Sequence, residues 1–600
     1  MVGGNTMLNF QSLTRIAAIG TALVAGLLAM TPGTAAAQTN GTWSATTGGS
    51  WPTDSNWTGS QIATGVSGSA QFSSSISGIQ IVTLDGDRTI GFMRFTSAGS
   101  ANIHSLQMGT SGTLTLQTSS GSPSIDVQNS RSGIIGVTLA GSQGFTKVGA
   151  GTLYLGGTSI YSGQTSISVG TLEVKAANAL GTTGAGNETV VSSGARVRIG
   201  ANVTVNESIQ INGQGVGSVG ALNIGSSDQV TTVTSATMAG LVTLGSDAAI
   251  GIAGSNVGTL DRFGAGDAIQ TNGFNLTVVN TGSLTVNSPI SGAGSLTVSG
   301  NGQLVLTAAN TYTGTTGWTG APGTLFLGNG GTGGSLSTNS AITLSNPNAT
   351  LAINQNDTVT QGVDFSGSAI TGNGIFNQIG TGTTILNAAN SYNGATNVNA
   401  GTLLINGNQS AANGAVTVAA GATLGGSGTV GGNTTITGIH SPGNSPGIQT
   451  FNGNLTYEAG AVVNWELIAN STGSAGTNYD QIVLPTTGNL TFNGSTTLAL
   501  SFNGAGSAVD WSNTFWNLNR SWMVYDLSAG EVSNAVNLVL GGSLLDSLGN
   551  SLSPTGRGYF TTSLSGQDVM LNFVAVPEPS TLVLLSGLAV GGLLLRRRRA

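Results

Sequence analysis

Short stretches in which apolar and polar residues alternate recur along most of the chain. Thr113–Leu116 (TLTL) and Gln303–Leu306 (QLVL) are typical, and Gly, Asn or Ser interrupts the pattern about every 6–12 residues. A period of two with such breaks predicts short β-strands joined by tight turns. Because no sustained period of 3.6 residues competes with it between the two ends, we expect an all-β body with helices only at the termini.

Three stretches share a longer pattern and are predicted to be repeats, at about 145–174, 302–327 and 382–405. In all three, a Leu is followed six residues later by a Tyr, and a Gly-Thr-Leu follows nine, eleven and nine residues after that Tyr. Equal spacing predicts equal geometry, namely a strand, an Asn-rich or Ser-rich corner, a second strand, a glycine turn and a third strand. A unit of about 30 residues cannot bury its apolar face alone and must stack on others. The sequence therefore predicts a parallel β-helix.

These repeats resemble the autotransporter-associated β-strand repeat, in which Gly-x-Leu-x-Leu is followed by Asn-Thr-Tyr-x-Gly and Gly-Thr-Leu. The resemblance implies a right-handed parallel β-helix of the kind found in the passengers of secreted proteins. The chain departs from that family at its C-terminus, where we find an apolar segment and arginines instead of a membrane barrel of about 250 residues. We therefore do not expect the chain to carry itself through an outer membrane.

The N-terminus has the parts of a secretory signal peptide. Arg15 precedes an apolar stretch that ends at Met30, and small residues follow at 35–37. A positive charge, an apolar core and a small-residue exit predict cleavage between Ala37 and Gln38 by signal peptidase after export through the Sec translocon. We assign residues 1–37 to this signal helix.

The C-terminus carries a second apolar segment, residues 581–595, which would span about 22 Å as a helix. A basic cluster follows it and predicts a membrane stop with its end in the cytoplasm. This cluster is formed by Arg596, Arg597, Arg598 and Arg599, and a short motif, Pro577, Glu578 and Pro579, precedes the apolar segment. The order of these three parts resembles a PEP-CTERM sorting signal. The resemblance implies recognition by a membrane-embedded exosortase in a Gram-negative bacterium that makes extracellular polysaccharide. A plain transmembrane tail anchor is the alternative.

The remaining sequence divides into three parts between these two ends. Residues 38–140 are predicted to form an N-terminal β cap and the first solenoid turns, and residues 141–447 the β-helix with the repeats. Residues 448–575 are predicted to form a β-rich C-terminal cap, and residues 576–600 are the sorting signal with one transmembrane helix.

Charge and composition exclude several classes of function. Only 6% of the 600 residues are charged, the formal net charge is -7, and between the two ends ten bases face 22 acids. A body this acidic offers no surface for nucleic-acid phosphates. The chain has no Cys, which excludes disulfides, thiol catalysis and thiolate metal sites.

Several features of the sequence are candidate sites. Gly443–Gly447 (GNSPG) matches the G-x-S-x-G nucleophile pattern, but Pro446 lacks the N–H that an oxyanion hole requires, which favours a turn. His104 and His440 lie too far apart in sequence to predict a shared triad or metal site. Asp85-Gly-Asp87 resembles a fragment of a calcium loop without its other ligands. Three tryptophans between residues 511 and 522 are interpreted as the core of a cap, with a glycan-stacking platform as the alternative.

The pattern as a whole predicts an exported protein without catalytic residues, metal or other cofactors. We expect an intermediate anchored in the inner membrane and then a location at the cell surface or in the extracellular matrix. The expected role is structural or adhesive, in contact with extracellular polysaccharide or a biofilm. A polysaccharide lyase or hydrolase on the same scaffold is the alternative.

Overall fold

The computed structural model describes residues 37–97, 103–200, 202–225, 235–252, 254–552 and 556–576. Within these ranges the chain is built of 56 β-strands, with short 3-10 helices at Asp54–Asn56, Thr58–Ser60, Val216–Ser218, Thr514–Asn517 and Ala535–Asn537. No helix in the described ranges is long and apolar enough to cross a membrane. The predicted signal helix and transmembrane helix both lie outside the described residues.

The strands are short because glycine, asparagine and serine break the alternating pattern. In the first third they are β1 (Gly41–Trp43), β2 (Gly49–Ser50), β3 (Ser69–Phe72), β4 (Ile79–Thr83), β5 (Arg88–Ile90), β6 (Phe92–Phe95), β7 (Ile103–Gln107), β8 (Thr113–Leu116), β9 (Ser124–Val127), β10 (Ser132–Ile135), β11 (Thr138–Ala140), β12 (Thr146–Val148), β13 (Thr152–Leu155), β14 (Thr165–Ile167), β15 (Thr171–Val174), β16 (Thr189–Val191), β17 (Arg196–Ile199), β18 (Thr204–Val205), β19 (Ile209–Gly213) and β20 (Leu222–Ile224).

The middle strands are β21 (Ser235–Met238), β22 (Val242–Ile252), β23 (Val257–Leu260), β24 (Ile269–Gln270), β25 (Leu276–Asn280), β26 (Ser283–Val286), β27 (Ile290–Ser291), β28 (Leu296–Ser299), β29 (Gln303–Leu306), β30 (Thr316–Thr319), β31 (Thr324–Leu327), β32 (Ile342–Leu344), β33 (Thr350–Ile353), β34 (Thr358–Thr360), β35 (Thr371–Gly372), β36 (Ile375–Gln378), β37 (Thr383–Leu386), β38 (Thr396–Val398) and β39 (Thr402–Ile405).

The last strands are β40 (Asn408–Gln409), β41 (Val416–Val418), β42 (Thr423–Gly426), β43 (Thr429–Val430), β44 (Thr434–Ile436), β45 (Ile439–Pro442), β46 (Ile448–Phe451), β47 (Leu455–Tyr457), β48 (Val462–Glu466), β49 (Gln481–Leu484), β50 (Leu490–Phe492), β51 (Thr496–Ser501), β52 (Arg520–Leu527), β53 (Val532–Ser533), β54 (Leu538–Ser543), β55 (Gly558–Ser565) and β56 (Asp568–Ala575).

The strands pair in parallel with strands one coil further along the chain, which is the arrangement of a β-helix-like solenoid. From β38 onward, successive strands fall in turn into a 14-stranded, an 8-stranded and a 7-stranded sheet, so each coil has three sides. This pairing continues past residue 447, the predicted start of the C-terminal cap, as far as β53 and β54. Among the strand pairs of the described residues, those of β56 with β52 and with β55 are antiparallel.

The core is a column of inward-facing side chains that repeats from coil to coil. Leu284, Leu304, Leu325, Leu351 and Phe376 lie in register on successive strands, and all five are fully buried. Burying each such side chain contributes about 1.5–3 kcal/mol. The predicted alternation of inward apolar and outward polar residues thus produces one continuous core.

In each repeat, the strand just before the tyrosine corner stacks on the strand that follows the glycine turn. In the first copy β13 pairs with β15, which brings Leu153 beside Leu172. In the second copy β29 pairs with β31, and in the third β37 pairs with β39. Each repeat is therefore slightly more than one coil of the solenoid.

Candidate functional site

The tyrosine of each repeat points into the solenoid and is fully buried. In the first repeat, the hydroxyl of Tyr161 lies 2.6 Å from Thr165 Oγ1. The same pair occurs at 2.6 Å between Tyr312 and Thr316, and Tyr392 repeats it with a threonine at 2.7 Å. Burial raises the pKa of Tyr392 to about 12, so the hydroxyl keeps its proton. These tyrosines fix the corner and are not available to a ligand.

Asparagines complete two of the three corners. Asn310 Oδ1 accepts the backbone N–H of Ile290 at 2.9 Å, and Asn390 Oδ1 accepts that of Ile370 at 2.7 Å. Both donors lie 20 residues earlier, in the preceding coil. Since a buried amide N–H without a partner is costly, the asparagines stabilise the junction between coils.

The glycine of the Gly-Thr-Leu turn is required because it passes close to the coil before it. A Cβ on Gly170 would lie 2.6 Å from the carbonyl oxygen of Gly149, and one on Gly401 would lie 2.3 Å from that of Gly382. In the second copy a Cβ on Gly323 would lie 2.7 Å from the oxygen of Gly300. The three glycines are thus explained by packing.

The two histidines are separate and buried, and both serve the core. His104 Nδ1 lies 3.0 Å from Ser97 Oγ. His440 lies 2.6 Å from the Tyr457 hydroxyl through Nδ1 and 2.9 Å from Gln449 Oε1 through Nε2. Burial lowers the pKa of each histidine to about 4, so both are neutral at pH 7. The structure does not bring them together, and they form neither a triad nor a shared metal site.

The acidic pair near the N-terminus links neighbouring coils. Asp85 accepts hydrogen bonds from the hydroxyls of Ser50 and Thr83 and from the N–H and hydroxyl of Thr110. Asp87 accepts the N–H and hydroxyl of Thr113, at 2.8 and 3.0 Å. These donors lower the pKa of both carboxyls. Their oxygens bind protein donors, which explains this motif without a calcium ion.

The tryptophan cluster is a core and not a stacking platform. Trp511, Trp516 and Trp522 are at most 1% exposed, and their indole N–H groups donate to Leu544 O, Asn470 Oδ1 and Ser471 O. The interpretation as a cap core is consistent with this burial. The alternative of a glycan platform on these rings is wrong because no face of them is open to a ligand.

Charged groups also occur inside the N-terminal half. Glu173 is buried, and its carboxylate lies 3.4 Å from Arg198 and 3.1 Å from Lys175. Lys147 is 0% exposed, and burial lowers its pKa to about 8. Its ammonium donates to the carbonyls of Val148 and Val169 at 3.0 Å. In the described residues no three His, Asp or Glu side chains converge as metal ligands would.

The Gly443–Gly447 loop is a turn, and it forms one wall of an outer groove. No helix follows it, since β46 begins at Ile448. Ser445 Oγ donates to Glu466 Oε2 at 2.6 Å, and the N–H of Gly447 donates to Asp480 Oδ1 at 2.8 Å. Burial raises the pKa of Asp480 to about 7, although two backbone N–H donors oppose that shift.

The groove beside this loop was not predicted from the sequence. It has a volume of about 530 Å³ and is lined by residues of the loop, of β48, of β51 and of the end of β54. Asn464, Glu466 and Asp480 lie beside Ser445 in this groove, although they are up to 35 residues away in sequence. The only local signal was the polar alternation of β48.

The predicted processing residues divide between described and undescribed parts. Ala37 and Gln38 are exposed at the start of the described chain, and Gln38 Nε2 donates to Ser67 O at 3.0 Å. Pro577, Glu578 and Pro579, together with the four terminal arginines, lie outside the described residues. The last described residue is Val576, whose N–H donates to Arg557 O at 2.7 Å.

Comparison with known families identifies two kinds of segment in the chain. The passenger-associated-transport-repeat family matches residues 145–174, 292–316 and 376–405. The PEP-CTERM protein-sorting motif matches residues 575–599. Both resemblances expected from the sequence are confirmed, although the second match covers 292–316 instead of 302–327 and the third starts at 376 instead of 382. The three matched internal segments are therefore passenger-type repeats, and the matched C-terminal segment is a sorting signal.

A curated relative supports the same conclusion over a short region. The chain is 49% identical over 69 residues to the "Adhesin BmaC autotransporter" of Brucella suis biovar 1 (strain 1330). The aligned region is 12% of this chain and 2% of that protein. The chain thus spans only a small fraction of the length of this relative.

Proposed function

We propose that the protein is exported, sorted to the cell surface or extracellular matrix, and acts there as a structural or adhesive rod without catalytic activity. One observation carries the proposal. In a body with passenger-type repeats, the last described strand ends at Ala575, and a PEP-CTERM motif matches residues 575–599. The folded rod therefore leads directly into the sorting signal.

The route follows from the two ends of the chain. Signal peptidase cuts between Ala37 and Gln38 after Sec export, and the apolar segment 581–595 with its arginines holds an inner-membrane intermediate. An exosortase-type enzyme then acts at the Pro577–Pro579 motif. The same proposal divides the body as the sequence predicts, into an N-terminal β cap with the first solenoid turns at 38–140, the β-helix at 141–447 and a β-rich C-terminal cap at 448–575, although parallel coils continue into this last part as far as β54. We assign the solenoid a right-handed turn, the hand of nearly all parallel β-crossovers.

The outer faces support an adhesive role. Asn397 Nδ2 donates to Asn377 Oδ1 at 2.9 Å, and Thr417 Oγ1 donates to Asn397 Oδ1 at 2.8 Å, which makes a polar ladder along successive coils. Such ladders place similar hydroxyls and amides at a regular spacing. Many weak contacts with extracellular polysaccharide or a biofilm matrix then add through multivalency.

Fractionation of cells with and without the sorting enzyme tests the proposal. We expect the mature protein at the surface or in the matrix. Its intact mass should correspond to a chain that begins at Gln38 and lacks most of residues 577–600. Cells without the enzyme should retain the tail in the inner membrane. A protein that keeps Arg596 to Arg599 in the inner membrane of normal cells would contradict the proposal.

A further inference from the structure

The groove at Gly443–Gly447 owes its shape to small side chains on the outer face of the 8-stranded sheet. Gly425 pairs with Ser441, and Ala499 pairs with Gly541. None of these residues has a side chain long enough to fill the face between its neighbours. The resulting volume of about 530 Å³ falls within the range of about 300–1,000 Å³ that is usual for small-ligand sites.

The loop that forms one wall is fixed by four contacts. The N–H of Gly443 donates to Gly426 O at 2.9 Å, and Asn444 Nδ2 donates to Ser427 Oγ at 3.2 Å. Further along, Ser445 Oγ is bound to Glu466 and the N–H of Gly447 to Asp480, as described above. A wall that is already in place does not have to be ordered by a ligand, which favours binding.

The polar groups of the groove are both donors and acceptors. Asn464 is exposed, and its Nδ2 donates to Ser441 Oγ at 2.9 Å, which leaves its carbonyl oxygen and one N–H for a ligand. Exposed Ser543 and half-buried Ser501 add hydroxyls at the other side. Donors and acceptors placed together match the hydroxyl groups of a sugar.

The charge of the residues that line the groove restricts the class of ligand further. Glu466 and Asp480 are the ionisable residues that line the groove, and no Lys or Arg lines it. A uronate or a phosphorylated sugar would place its own negative charge beside the Glu466 carboxylate. A neutral, hydroxyl-rich ligand meets no such repulsion. The side chain of Leu404, which is half-buried and also lines the groove, suits the C–H face of a sugar ring.

We propose that this groove binds a neutral saccharide, as a short segment of a longer glycan chain. The inference deepens the proposed function and rests on it, because an adhesive surface protein is the context in which such a site acts. The carboxylates serve as acceptors and loop anchors. Both Asp480 oxygens accept backbone N–H groups, from Gly447 and from Glu466.

Binding by the full-length chain in a detergent without a sugar headgroup tests this site. The probes are hexasaccharides of β-1,4-glucose, α-1,4-glucose and α-mannose as neutral ligands, and hexagalacturonate as the charged one. We expect at least one neutral probe to bind and hexagalacturonate to bind at least tenfold more weakly. Asn464→Ala and Glu466→Gln should each weaken the binding of that neutral probe about tenfold or more.

Asn393→Ala is the matched control. Asn393 is also exposed, and its Nδ2 donates to one side chain of the preceding coil, Asn373, at 3.1 Å, but it lies outside the groove. It should leave binding unchanged, and circular dichroism of all three variants should match that of the parent. Absence of binding to every neutral probe, equal binding of hexagalacturonate, or equal effects of the control and groove variants would each overturn the proposal. Release of new reducing ends from a bound probe would overturn it too, in favour of an enzyme.

The outcomes separate the groove from the proposed function. If correctly sorted protein binds no saccharide, the groove is not a saccharide site, but the proposed role as a surface rod is unaffected. If the protein binds a saccharide but stays in the inner membrane, the saccharide site is supported and the proposed surface role is refuted.

Discussion

Buried hydroxyl pairs recur at single positions of the repeats, and each couples a tyrosine to the threonine four residues later. In the second copy the chain of contacts continues, since Thr316 Oγ1 lies 2.8 Å from Ser340 Oγ of the next coil. The tyrosine ring therefore fills the corner while its hydroxyl connects to polar groups inside the core. Ring and hydroxyl make separable contributions to stability.

Tyr312→Phe should separate them. The ring remains, and one buried hydrogen bond is lost, so we expect a loss of about 1 kcal/mol. Tyr312→Ala removes the ring as well and should cost about 3–5 kcal/mol. Urea unfolding followed by tryptophan fluorescence measures both. Tyr559→Phe, at a site that is 54% exposed, is the control, and an effect there equal to that of Tyr312→Phe would contradict the argument.

A second residue-scale prediction concerns Asp480. Its folded-state pKa of about 7 lies above the ordinary value of 3.8, so the folded state holds the proton more tightly than the unfolded state. Its contribution is therefore fully present at acid pH and is lost as the pH rises from about 4 to about 7. The difference amounts to at most about 4 kcal/mol.

Asp480→Asn should remove this part of the pH dependence. The variant loses one acceptor for a backbone N–H, so its stability at pH 4 should be lower than that of the parent. Between pH 4 and pH 7, however, its unfolding free energy should fall less than that of the parent. Asp357→Asn, at an exposed site, should keep the parental slope. Equal slopes for the parent and Asp480→Asn would contradict the assignment.

At the scale of strands, the unit of stability is the contact between one coil and the next. Leu304 is 0% exposed and lies in register between Leu284 and Leu325. Val305 belongs to the same strand, β29, but points outward and is only half-buried. Neighbouring positions of one strand thus differ in what they contribute.

Leu304→Ala should leave a cavity between three coils and destabilise them by about 2–5 kcal/mol. Because coils interact mainly with their neighbours, the effect should be local. Hydrogen exchange measured by mass spectrometry should show faster exchange in β26, β29 and β31 and little change in β47 to β50. Val305→Ala is the matched control. A similar increase in hydrogen exchange in that variant would show that burial does not determine the loss of stability.

Most of the strand arrangement could be predicted because it depends on local spacing. The six-residue step from Leu306 to Tyr312 places a strand and a corner in the same relation in every copy. The groove could not be predicted in this way, because Ser445, Glu466 and Asp480 meet only through the stacking of coils of unequal length. Nor could the sequence decide where Trp511 points, since buried and exposed indoles have the same local pattern.

At the scale of the whole molecule, the last strand of the described residues ends where the match to the sorting motif begins. β56 ends at Ala575, and the N–H of Val576 is still bound to Arg557 O. The matched sorting motif begins at residue 575. Every core contact described above therefore lies on the N-terminal side of residue 577.

A chain that ends at Val576 should consequently keep its stability but should no longer be sorted to the cell surface. We expect its thermal unfolding midpoint to match that of the full-length protein within about 1 °C, because no residue of the described core is removed. In cells it should be exported and then found in soluble fractions instead of at the surface. A matched chain that ends at Phe560 cuts the last hairpin and should unfold at lower temperature, since Phe573 and Leu571 are buried there. Surface display of the Val576 form would show that the tail is not the sorting signal, and a large drop in its midpoint would show that the fold extends beyond Val576.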